Sequence, residues 1–442
     1  MQILFYHANL DERRDFKMAK QKYIPRLIDK KIENFLNAFG AICIEGPKWC
    51  GKTMTSLHHS KSSFYVGSPS ANFSNRTLAM VDPVTILEGD TPRLIDEWQE
   101  VPLIWDAVRH VVDQRAGKGH FILTGSSTPN YKGVYHSGAG RIAKLRMRPM
   151  SLFEMGESSG VVSLKGLFKG ELEQKLTGEV SLKKIVELII QGGWPESVGM
   201  PFEMAKLLPK QYIDVVIEND IRRVDNRSRD INKITLLLRS LARNESTTVT
   251  NKTLKDDIKE IDAEDINVDT VAEYLNLFDR LFLTDNQQPF SFNIRSRLRI
   301  KQSVKRHLAD PSLACALLDA SIDSLLLDME TLGFLFEALC ERDLKIYAEA
   351  NGGKLFHYQD YNNNEIDAVV QMEDGSWGAF EIKLGAHELD KAAQNLLRIK
   401  AMIEEDPKGK PPVVMGVISA MTNSTYLRDD GVYVIPITTL RP

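Results

Sequence analysis

Residues 46–53 read Gly-Pro-Lys-Trp-Cys-Gly-Lys-Thr, directly after the apolar run Ala41-Ile42-Cys43-Ile44. This spacing is typical of a loop whose backbone N–H groups surround a phosphate, because glycines stand where a Cβ would block the approach. Met54–His59 can open a helix, and a helix N-terminus favours an anion. The stretch therefore predicts a strand, a phosphate-binding loop and a helix. Its candidate nucleotide-binding residues are Gly46, Pro47, Lys48, Trp49, Cys50, Gly51, Lys52 and Thr53.

Two side chains of this loop predict the chemistry of the bound group. Lys52 would reach the β- and γ-phosphates as a point charge, and the Thr53 hydroxyl would ligate Mg²⁺. The alternative is a chance match, which the strand-like run before the loop and the helical run after it disfavour. Cys50 places a thiol beside the nucleotide. We expect it to be a small buried residue rather than a redox sensor, because free cysteines are mostly buried.

Two carboxylates, Asp96 and Glu97, end a second short apolar run at Arg93-Leu94-Ile95. Asp96 would bind Mg²⁺ directly or through water, and Glu97 would polarise the attacking water. Such a string is weak evidence alone, since many strands end in acidic turns, but it gains weight behind a phosphate loop. A third apolar run ends in Thr124-Gly125-Ser126-Ser127. We expect these hydroxyls near the γ-phosphate, with Thr124 as a nucleotide-binding residue.

Residues 20–155 resemble the AAA-type P-loop ATPase domain that begins a large group of prokaryotic two-part proteins. The resemblance rests on four motifs in the same order: residues 46–53, Ile95–Pro102, Leu123–Ser127, and Ala139-Gly140-Arg141 followed by Pro149–Glu154. It implies a three-layer α/β/α fold, ATP and Mg²⁺ as cofactors, and ATP hydrolysis as the activity. The family usually has Arg-Gln-Val where this chain has Lys48-Trp49-Cys50, a change at variable positions that leaves the phosphate chemistry intact.

Arg141 is the candidate cation for the charge that develops during hydrolysis, because it follows the third motif on a glycine-rich segment. It would act on its own nucleotide or on that of a neighbouring subunit, and the second case requires a homo-oligomer. An ordinary surface ion pair is an equal alternative. Arg222 and Arg223 are weaker candidates for the same role.

Composition narrows the class of protein. The chain has 442 residues, 56 basic and 60 acidic, for a net charge of −4, so any nucleic-acid contact needs a local basic patch. Its four cysteines, Cys43, Cys50, Cys315 and Cys340, show no paired spacing, which argues against a zinc site or a disulfide framework. We find no signal peptide and no apolar run near the ~18 residues of a membrane span. We therefore expect a cytoplasmic protein that contacts no membrane.

The sequence predicts five parts of the chain. Residues 1–20 are an N-terminal extension, and residues 21–155 are the ATPase domain. Residues 156–230 form a largely helical connection. From 231 to 329 we expect a winged-helix-like module with helices at 233–243, 253–258 and 268–278. Residues 330–442 form the last domain, whose strands include 413–418 and 432–435.

A basic run follows the third helix of the middle module, reading Arg295-Ser296-Arg297-Leu298-Arg299-Ile300-Lys301. The strand period of two places four cations on one face: Arg295, Arg297, Arg299 and Lys301. Lys305, Arg306 and His307 would extend this charge. We expect the face to contact DNA phosphates. The alternative, an ordinary solvated face, carries similar weight.

Residues 330–442 contain a second group of candidate catalytic residues. Asp367 begins an apolar strand, while Glu381 and Lys383 alternate on the next strand and leave the same face. Two carboxylates on neighbouring strands can share a divalent metal, and a lysine beside them can lower the pKa of an attacking water. Asp367 and Glu381 are therefore candidate metal ligands. The alternative is that Glu381 and Lys383 form a surface pair on a half-exposed strand.

This Asp…Glu-x-Lys pattern is that of restriction-endonuclease-like nucleases. Residues 330–442 resemble the domain of unknown function that closes the two-part family, itself similar to that nuclease fold. The resemblance implies that Glu337 adds a helical carboxylate and that Gln394, on the helix after the third strand, touches the site.

The chain is thus expected to be an α/β protein with a P-loop NTPase domain, a winged-helix-like module and a restriction-endonuclease-like domain. The function we expect is Mg²⁺-dependent ATP hydrolysis coupled to DNA binding, with DNA cleavage as its furthest extension. The alternative is a nucleotide-controlled switch whose nuclease-like domain recognises DNA or protein without cutting. A small-molecule kinase is disfavoured because the sequence shows no acceptor-substrate lid.

Overall fold

The structure, a computed structural model, describes residues 23–128, 136–172, 174–221, 229–259, 266–292, 303–360, 362 and 364–442. The chain divides into two units. The first consists of the chain up to Pro149 with Ile221 and Arg280–Phe282, and the second contains the remainder. Several residues named above lie outside the described residues: Arg222, Arg223, Arg295, Arg297, Arg299 and Lys301.

The first unit is built on a five-stranded sheet in which every pairing is parallel. Its strands are β1 (Ala41–Glu45), β2 (Ser62–Tyr65), β3 (Arg93–Asp96), β4 (Phe121–Gly125) and β5 (Ile142–Arg146). The order β2-β3-β4-β1-β5 places β4 between β1 and β3. Because parallel strands end at the same edge, the residues that follow β1, β3 and β4 come together there.

Helices cover both faces of this sheet. They are α1 (Asp29–Ala38), α2 (Lys52–His58), α3 (Ser70–Val81) and α4 (Leu103–Gln114). Alternate residues of β1 enter two different apolar clusters: Cys43 packs with Trp105 of α4, and Ile42 packs with Ile32 of α1. A strand buried on both faces is the signature of a parallel sheet between helical layers. The expected α/β architecture of the first unit is confirmed.

The second unit begins with mostly helical structure. Its elements before the last domain are α5 (Leu152–Met155), β6 (Val162–Ser163), α6 (Leu164–Leu167), β7 (Lys175–Leu176), α7 (Leu182–Gln191), α8 (Phe202–Ala205), α9 (Leu207–Val215), α10 (Ile231–Arg243), α11 (Asn251–Lys259), α12 (Val268–Arg280), β8 (Gln288–Pro289), α13 (Pro311–Leu317) and α14 (Ile322–Leu327). The three helices expected in the middle module are present. The first starts two residues early because the Asp230 side chain caps it, accepting hydrogen bonds from the N–H groups of Asn232 and Lys233.

The last domain is a mixed sheet packed against two long helices. Its elements are α15 (Met329–Ala350), β9 (Lys354–Gln359), β10 (Glu365–Gln371), β11 (Trp377–Lys383), α16 (Leu389–Glu405), β12 (Val414–Ser419), β13 (Ser424–Leu427), β14 (Tyr433–Pro436) and β15 (Leu440–Arg441). Strands β9, β10 and β11 are antiparallel, and β11, β12 and β14 are parallel. Helix α15 contacts β9, β10 and β11, while α16 contacts β11 and β12.

The hairpin of β10 and β11 carries Asp367, Glu381 and Lys383, the residues around which the C-terminal centre is built. Ala368 lies opposite Phe380 in its register, so Asp367 and Glu381 are neighbours across the pair. Both carboxyl-bearing positions therefore lie at one end of the hairpin, as their spacing predicted. No helix in the described ranges is long and apolar enough to cross a membrane.

Candidate functional site

The phosphate-binding loop connects β1 to α2, as predicted. A Cβ on Gly46 would lie 2.1 Å from the Met147 carbonyl oxygen, so only glycine fits there without a shift of the backbone. Gly51 precedes the first residue of α2 with a φ of 100°, a left-handed conformation that glycine adopts without strain. The two glycines of the motif thus have distinct structural reasons: one permits close packing and the other permits the turn into the helix.

Asp96, the last residue of β3, accepts hydrogen bonds from one residue of α2 and one of β4. The Thr53 hydroxyl donates to Asp96 Oδ1 at 2.8 Å, and the Thr124 hydroxyl donates to the same oxygen at 2.7 Å. Burial raises the pKa of Asp96, and the neighbouring charge of Glu97 adds to that effect. A cation beside this carboxyl would favour its charged form. Thr53 and Asp96 are oxygen donors of the kind that Mg²⁺ prefers, so these residues fit the expected metal.

Glu97 is held in an unusual backbone conformation next to Asp96. Its φ is 58°, a left-handed value that costs a non-glycine residue about 1–2 kcal/mol. The Glu97 N–H donates to the Thr124 hydroxyl at 3.1 Å, and the Ser126 hydroxyl donates to Glu97 Oε2 at 2.9 Å. The Gln99 side-chain amide bonds to the same oxygen. Such strain is typical of functional positions, and in this conformation the carboxylate contacts the Ser126 hydroxyl that follows β4.

Lys52 points back over its own loop. Its ammonium group donates to the carbonyl oxygens of Gly46 at 3.0 Å and Pro47 at 2.8 Å. To contact a nucleotide it must exchange these bonds for phosphate oxygens. Trp49 is 43% exposed, whereas Cys50 is fully buried with its Sγ 3.8 Å from the Met147 carbonyl oxygen. The buried thiol agrees with the interpretation of Cys50 as a small packing residue.

Arg26 supports the loop, and the sequence motifs did not indicate it. Its guanidinium donates from Nη1 to the Cys50 carbonyl oxygen at 2.7 Å and from Nη2 to the Arg148 carbonyl oxygen at 2.8 Å. The two bonds connect the phosphate-binding loop to the segment after β5. Arg26 precedes the first motif by twenty positions, and no local pattern marks it.

Arg141 lies at the wrong edge of the sheet to serve its own nucleotide. Its carbonyl oxygen accepts a hydrogen bond from the N–H of Ala41, at the start of β1, and the phosphate-binding loop follows the end of that strand. Five strand residues separate the two edges by about 16 Å. Its side chain is 49% exposed, and Nε lies 2.8 Å from Asp113 Oδ1. A role in cis is therefore wrong for this geometry.

Three of the predicted C-terminal residues converge. The Lys383 ammonium lies 2.9 Å from Asp367 Oδ2 and 2.8 Å from Glu381 Oε2. Asp367 Oδ2 also accepts the N–H of Ile382 at 2.8 Å. Because Glu381 is only 4% exposed and Asp367 only 8%, the alternative of a surface pair on a half-exposed strand is wrong.

The pKa values at this centre reflect burial and proximity. Burial, with the adjacent charge of Asp367, raises the pKa of Glu381 to about 7 against the opposing effect of Lys383. Burial disfavours the charge of Lys383, but the carboxylates of Asp367 and Glu381 outweigh it and raise the pKa of Lys383. The lysine is therefore charged at neutral pH.

Lys305 belongs to this centre, although the sequence pattern predicted it on the surface. It was expected to extend an exposed basic surface, yet it is 1% exposed. Its ammonium donates to Glu337 on α15, to Glu341 Oε1 at 3.3 Å, and to the Asp367 carbonyl oxygen at 3.3 Å. Glu337, the third predicted carboxylate, thus contacts the centre through Lys305. Burial raises the pKa of Glu337 to about 8 even though Lys305 opposes that rise.

His307 was likewise expected on the surface and is buried between two carboxylates. Its Nδ1 lies 3.0 Å from Glu245 Oε1, and its Nε2 lies 2.6 Å from Glu341 Oε2. Burial disfavours the charged ring, but Glu341 and Glu245 outweigh it and raise the pKa of His307 to about 9. Arg306, between the two, donates instead to Asn251 at 2.8 Å. Because the segment is extended, alternate side chains point inward, so Lys305 and His307 are buried while Arg306 is not. Three consecutive basic residues in the sequence do not reveal this alternation.

The helix residue that contacts the centre is Asn395, whereas Gln394 was expected. The Asn395 amide donates to Glu381 Oε1 at 2.9 Å and to the Glu365 carbonyl oxygen at 2.9 Å. Gln394 is exposed. The helical phase of α16 decides between adjacent residues, and it turns position 395 toward the sheet.

No three histidine, cysteine, aspartate or glutamate side chains are grouped as a metal site anywhere in the part of the chain that the structure describes. At the C-terminal centre, ammonium groups stand between the carboxylates. The proposed metal-ligand roles of Asp367 and Glu381 therefore stay predictions.

Three family models match separate parts of the chain. The first, described as an AAA domain, matches residues 38–156. Two domains of unknown function follow: DUF8612 at residues 182–324 and DUF4143 at residues 332–440.

Two curated relatives resemble a short part of the chain. They are uncharacterized proteins of Mycobacterium tuberculosis (strain ATCC 25618 / H37Rv), Rv2008c, and Mycobacterium bovis (strain ATCC BAA-935 / AF2122/97), Mb2031c. Each is 26% identical over 131 residues, which is 29% of this chain. The match spans only 30% of the length of either relative.

Solved structures with partial similarity include the Walker-type ATPase PABY2304 of Pyrococcus abyssi, at 12% identity and a TM-score of 0.40 over 66% of this chain and 94% of that one. The Aeropyrum pernix ORC1 protein in complex with DNA shows 13% identity and a TM-score of 0.22, covering 68% and 93%. The FIGL-1 AAA domain in complex with ADP shows 13% identity and a TM-score of 0.21, covering 60% and 86%. All three scores lie below 0.5, so these structures do not bear on the function of this chain.

The AAA-domain match and the parallel sheet agree on the first part of the chain. Residues 38–156 thus match an AAA-domain model, and residues 332–440 match the model of a domain of unknown function, DUF4143. The AAA-domain match implies that the first unit binds ATP.

Proposed function

We propose that the first unit hydrolyses ATP in the presence of Mg²⁺. The observation that supports this most is the meeting of Thr53, Asp96 and Thr124, in which one carboxylate oxygen accepts hydrogen bonds from the phosphate-binding loop and from the end of β4. Thr53 and Asp96 would hold Mg²⁺. When bound, this ion would neutralise charge on the phosphates during transfer.

The phosphate-binding loop, Asp96, Glu97 and Thr124 form the nucleotide centre, and its other residues have separate roles in this proposal. The loop N–H groups and Lys52 bind the phosphates, and Glu97 orients and polarises the attacking water. Ser126 and Gln99, which contact the Glu97 carboxylate, position it. Thr124 acts through Asp96 and the backbone of Glu97 rather than as the phosphate sensor that the sequence suggested.

Arg141 belongs to this proposal only as a residue donated to another subunit. Because Arg141 lies at the far edge of the sheet, the nucleotide site that it could complete is that of a second copy of the chain. We therefore propose a homo-oligomer in which Arg141 of one protomer approaches the nucleotide of the next, as an alternative to its ion pair with Asp113.

The test is ATP binding and hydrolysis by the full-length protein and two variants. Lys52→Ala should abolish ATP binding. Glu97→Gln should keep ATP affinity within about twofold and slow hydrolysis by about 10²–10⁴-fold, the usual range for loss of a general base. An unaltered affinity in Lys52→Ala would show that the nucleotide binds elsewhere. An unaltered rate in Glu97→Gln would remove Glu97 from the mechanism.

For the second unit we propose contact with DNA, controlled by the nucleotide state of the first. The support from the sequence is the predicted basic strand with Arg295, Arg297, Arg299 and Lys301. DNA should then stimulate ATP hydrolysis, and the stimulation should vanish in Glu97→Gln. Hydrolysis that is indifferent to single- and double-stranded DNA would redirect the second unit toward protein partners.

DNA cleavage by Glu337, Asp367, Glu381 and Lys383 is a second candidate, favoured by their convergence on one buried centre. Recognition without cutting is its alternative, favoured by the ammonium groups that already compensate the carboxylates. Titration of Mn²⁺ into the full-length protein and its Asp367→Asn variant separates them. A binding event lost only in the variant, with loss of DNA cleavage, supports the nuclease. Identical titrations and no cleavage support recognition alone.

A further inference from the structure

Arg398 is an exposed arginine whose contacts are both neutral. Its guanidinium donates to the side-chain oxygen of Asn364, and Nη2 donates to Asn395 Oδ1 at 2.6 Å. No carboxylate in the described ranges of the chain lies within ion-pair distance of it. A guanidinium carries five N–H donors, so most of its donor capacity and all of its charge remain for another group.

The two amides that hold Arg398 are themselves fixed. Asn395 donates to Glu381 Oε1 at 2.9 Å, and Asn364 donates to Asp360 Oδ2 at 2.6 Å. Arg398 is therefore one side chain away from the C-terminal centre. A guanidinium held by two anchors loses less conformational entropy when it binds an anion, and its planar fork matches two oxygens of a phosphate.

Two more polar residues share the outer side of α16 with Arg398. Lys391 and Gln394 precede it at helical spacings of seven and four, which places all three on one face. All three are exposed, and Lys391 likewise has no carboxylate partner among the described residues. The helix rise of 1.5 Å per residue separates Lys391 from Arg398 by about 10 Å along the axis.

In the described part of the chain, other cations on or near α16 form ion pairs with carboxylates, unlike Arg398 and Lys391. Lys400, on the same helix, lies 3.5 Å from Glu404, and Arg428 lies 2.7 Å from Asp390 and 3.0 Å from Asp430. Those charges are compensated within the protein. The two on the outer face are not, and one is oriented by the residue that also holds Glu381.

We propose that Lys391, Gln394 and Arg398, the outer face of α16, bind backbone phosphates of DNA, with Arg398 holding a phosphate beside the Glu381 centre. None of these three residues belongs to the predicted basic strand at 295–301. The inference rests on the proposed contact of the second unit with DNA and names where the strand would approach the C-terminal centre.

The test measures the affinity of the full-length protein for a fluorescent DNA duplex of about 20 base pairs and a single strand of about 20 nucleotides. The salt concentration is varied from about 50 to about 200 mM, the range over which phosphate contacts make the affinity fall steeply. Arg398→Gln should weaken binding about tenfold and reduce the slope of log K against log salt by about 0.9 for the duplex. Lys391→Gln should lower the slope by a similar amount. Lys400→Gln is the matched control on the same helix and should match the wild type.

Arg398→Lys separates charge from geometry. It should restore the salt slope while recovering only part of the affinity, because lysine provides the charge without the planar fork. Equal thermal unfolding of all variants establishes that they fold, which the exposure of the three residues leads us to expect.

The two levels of failure are distinguishable. If the wild type binds DNA and both Arg398→Gln and Lys391→Gln behave like Lys400→Gln, the outer face of α16 is a solvated surface and this inference is overturned, while the DNA contact stands. If the wild type binds neither form of DNA, the proposed DNA contact fails and the inference fails with it.

Discussion

The nucleotide centre and the C-terminal centre both gather carboxylates at strand ends, yet they balance the charge in different ways. Asp96 and Glu97 accept hydrogen bonds from neutral hydroxyl and amide groups. Glu337, Asp367 and Glu381 each contact an ammonium group, from Lys305 or Lys383. Neutral partners leave a net negative charge that a bound cation can compensate. The first centre is therefore organised for a ligand, while the second is organised largely by its own lysines.

This difference has a consequence for stability. A buried ion pair contributes little by itself, because desolvation offsets the attraction, but removal of one partner leaves a charge buried and uncompensated. Substitutions that leave a charge uncompensated at the C-terminal centre should therefore destabilise the second unit, whereas substitutions at the nucleotide centre should leave the first unit folded and inactive.

The largest expected effect comes from the same change at two buried lysines. Lys305→Met should lower the free energy of unfolding by about 3–5 kcal/mol, because Glu337 and Glu341 lose their cation. Lys52→Met should lower it by less, about 1–2 kcal/mol, because the two backbone carbonyls that lose their donor carry no charge. Urea unfolding followed by circular dichroism measures both free energies. The transition of the second unit reports on Lys305→Met, and that of the first unit reports on Lys52→Met. Equal losses would contradict the distinction between the centres.

The next effect is a pH dependence that His307 gives to the second unit. Its folded-state pKa of about 9 lies above the ordinary value of 6.5, so its contribution to stability is complete below pH 6.5 and is lost as pH rises through 9. The loss should reach about 3 kcal/mol, at 1.36 kcal/mol per pKa unit.

His307→Gln should remove most of this decline, as unfolding free energies measured between pH 6 and about 9.5 would show. His110→Gln, at an exposed position of the first unit, is the matched control. A decline that is equally steep in His307→Gln would place the titrating group elsewhere.

A smaller effect tests the packing of the phosphate-binding loop. Gly46→Ala should cost about 1–3 kcal/mol, because the new Cβ would meet the Met147 carbonyl oxygen at 2.1 Å and force the backbone to move. ATP affinity should fall in parallel. Gly67→Ala, where nothing lies within 4 Å of the added carbon, should stay within about 0.5 kcal/mol. Calorimetric unfolding and nucleotide titration check both, and tolerance of Gly46→Ala would contradict the close approach.

The smallest effect concerns the thiol of the loop. Cys50→Ala should cost about 1 kcal/mol, the loss of a small buried group, and leave ATP hydrolysis unchanged. Cys340→Ala, an equally buried cysteine of α15, should cost a similar amount. In the native wild type, N-ethylmaleimide should label neither thiol readily, as mass spectrometry would show. Fast labelling of Cys50 would support a redox role instead.

The sequence alone determined the features in which the essential atoms are close along the chain. The phosphate-binding loop lies within eight residues, and Asp96 and Glu97 are adjacent, so a short string specifies both the backbone and the chemistry. The β10–β11 hairpin is similarly local. Its strand period brought Asp367, Glu381 and Lys383 together as expected.

Only the tertiary structure decided where single side chains lie relative to distant elements. Arg141 follows the motifs in order, but the strand register puts it at the edge opposite its own nucleotide. Lys305 and His307 follow a basic run, and lysine is so rarely buried that their inward position has no local signal. It becomes favourable only because Glu337, Glu341 and Glu245, from remote segments, surround them. Burial and charge compensation depend on neighbours far away in the chain, and a linear pattern contains no information about those neighbours.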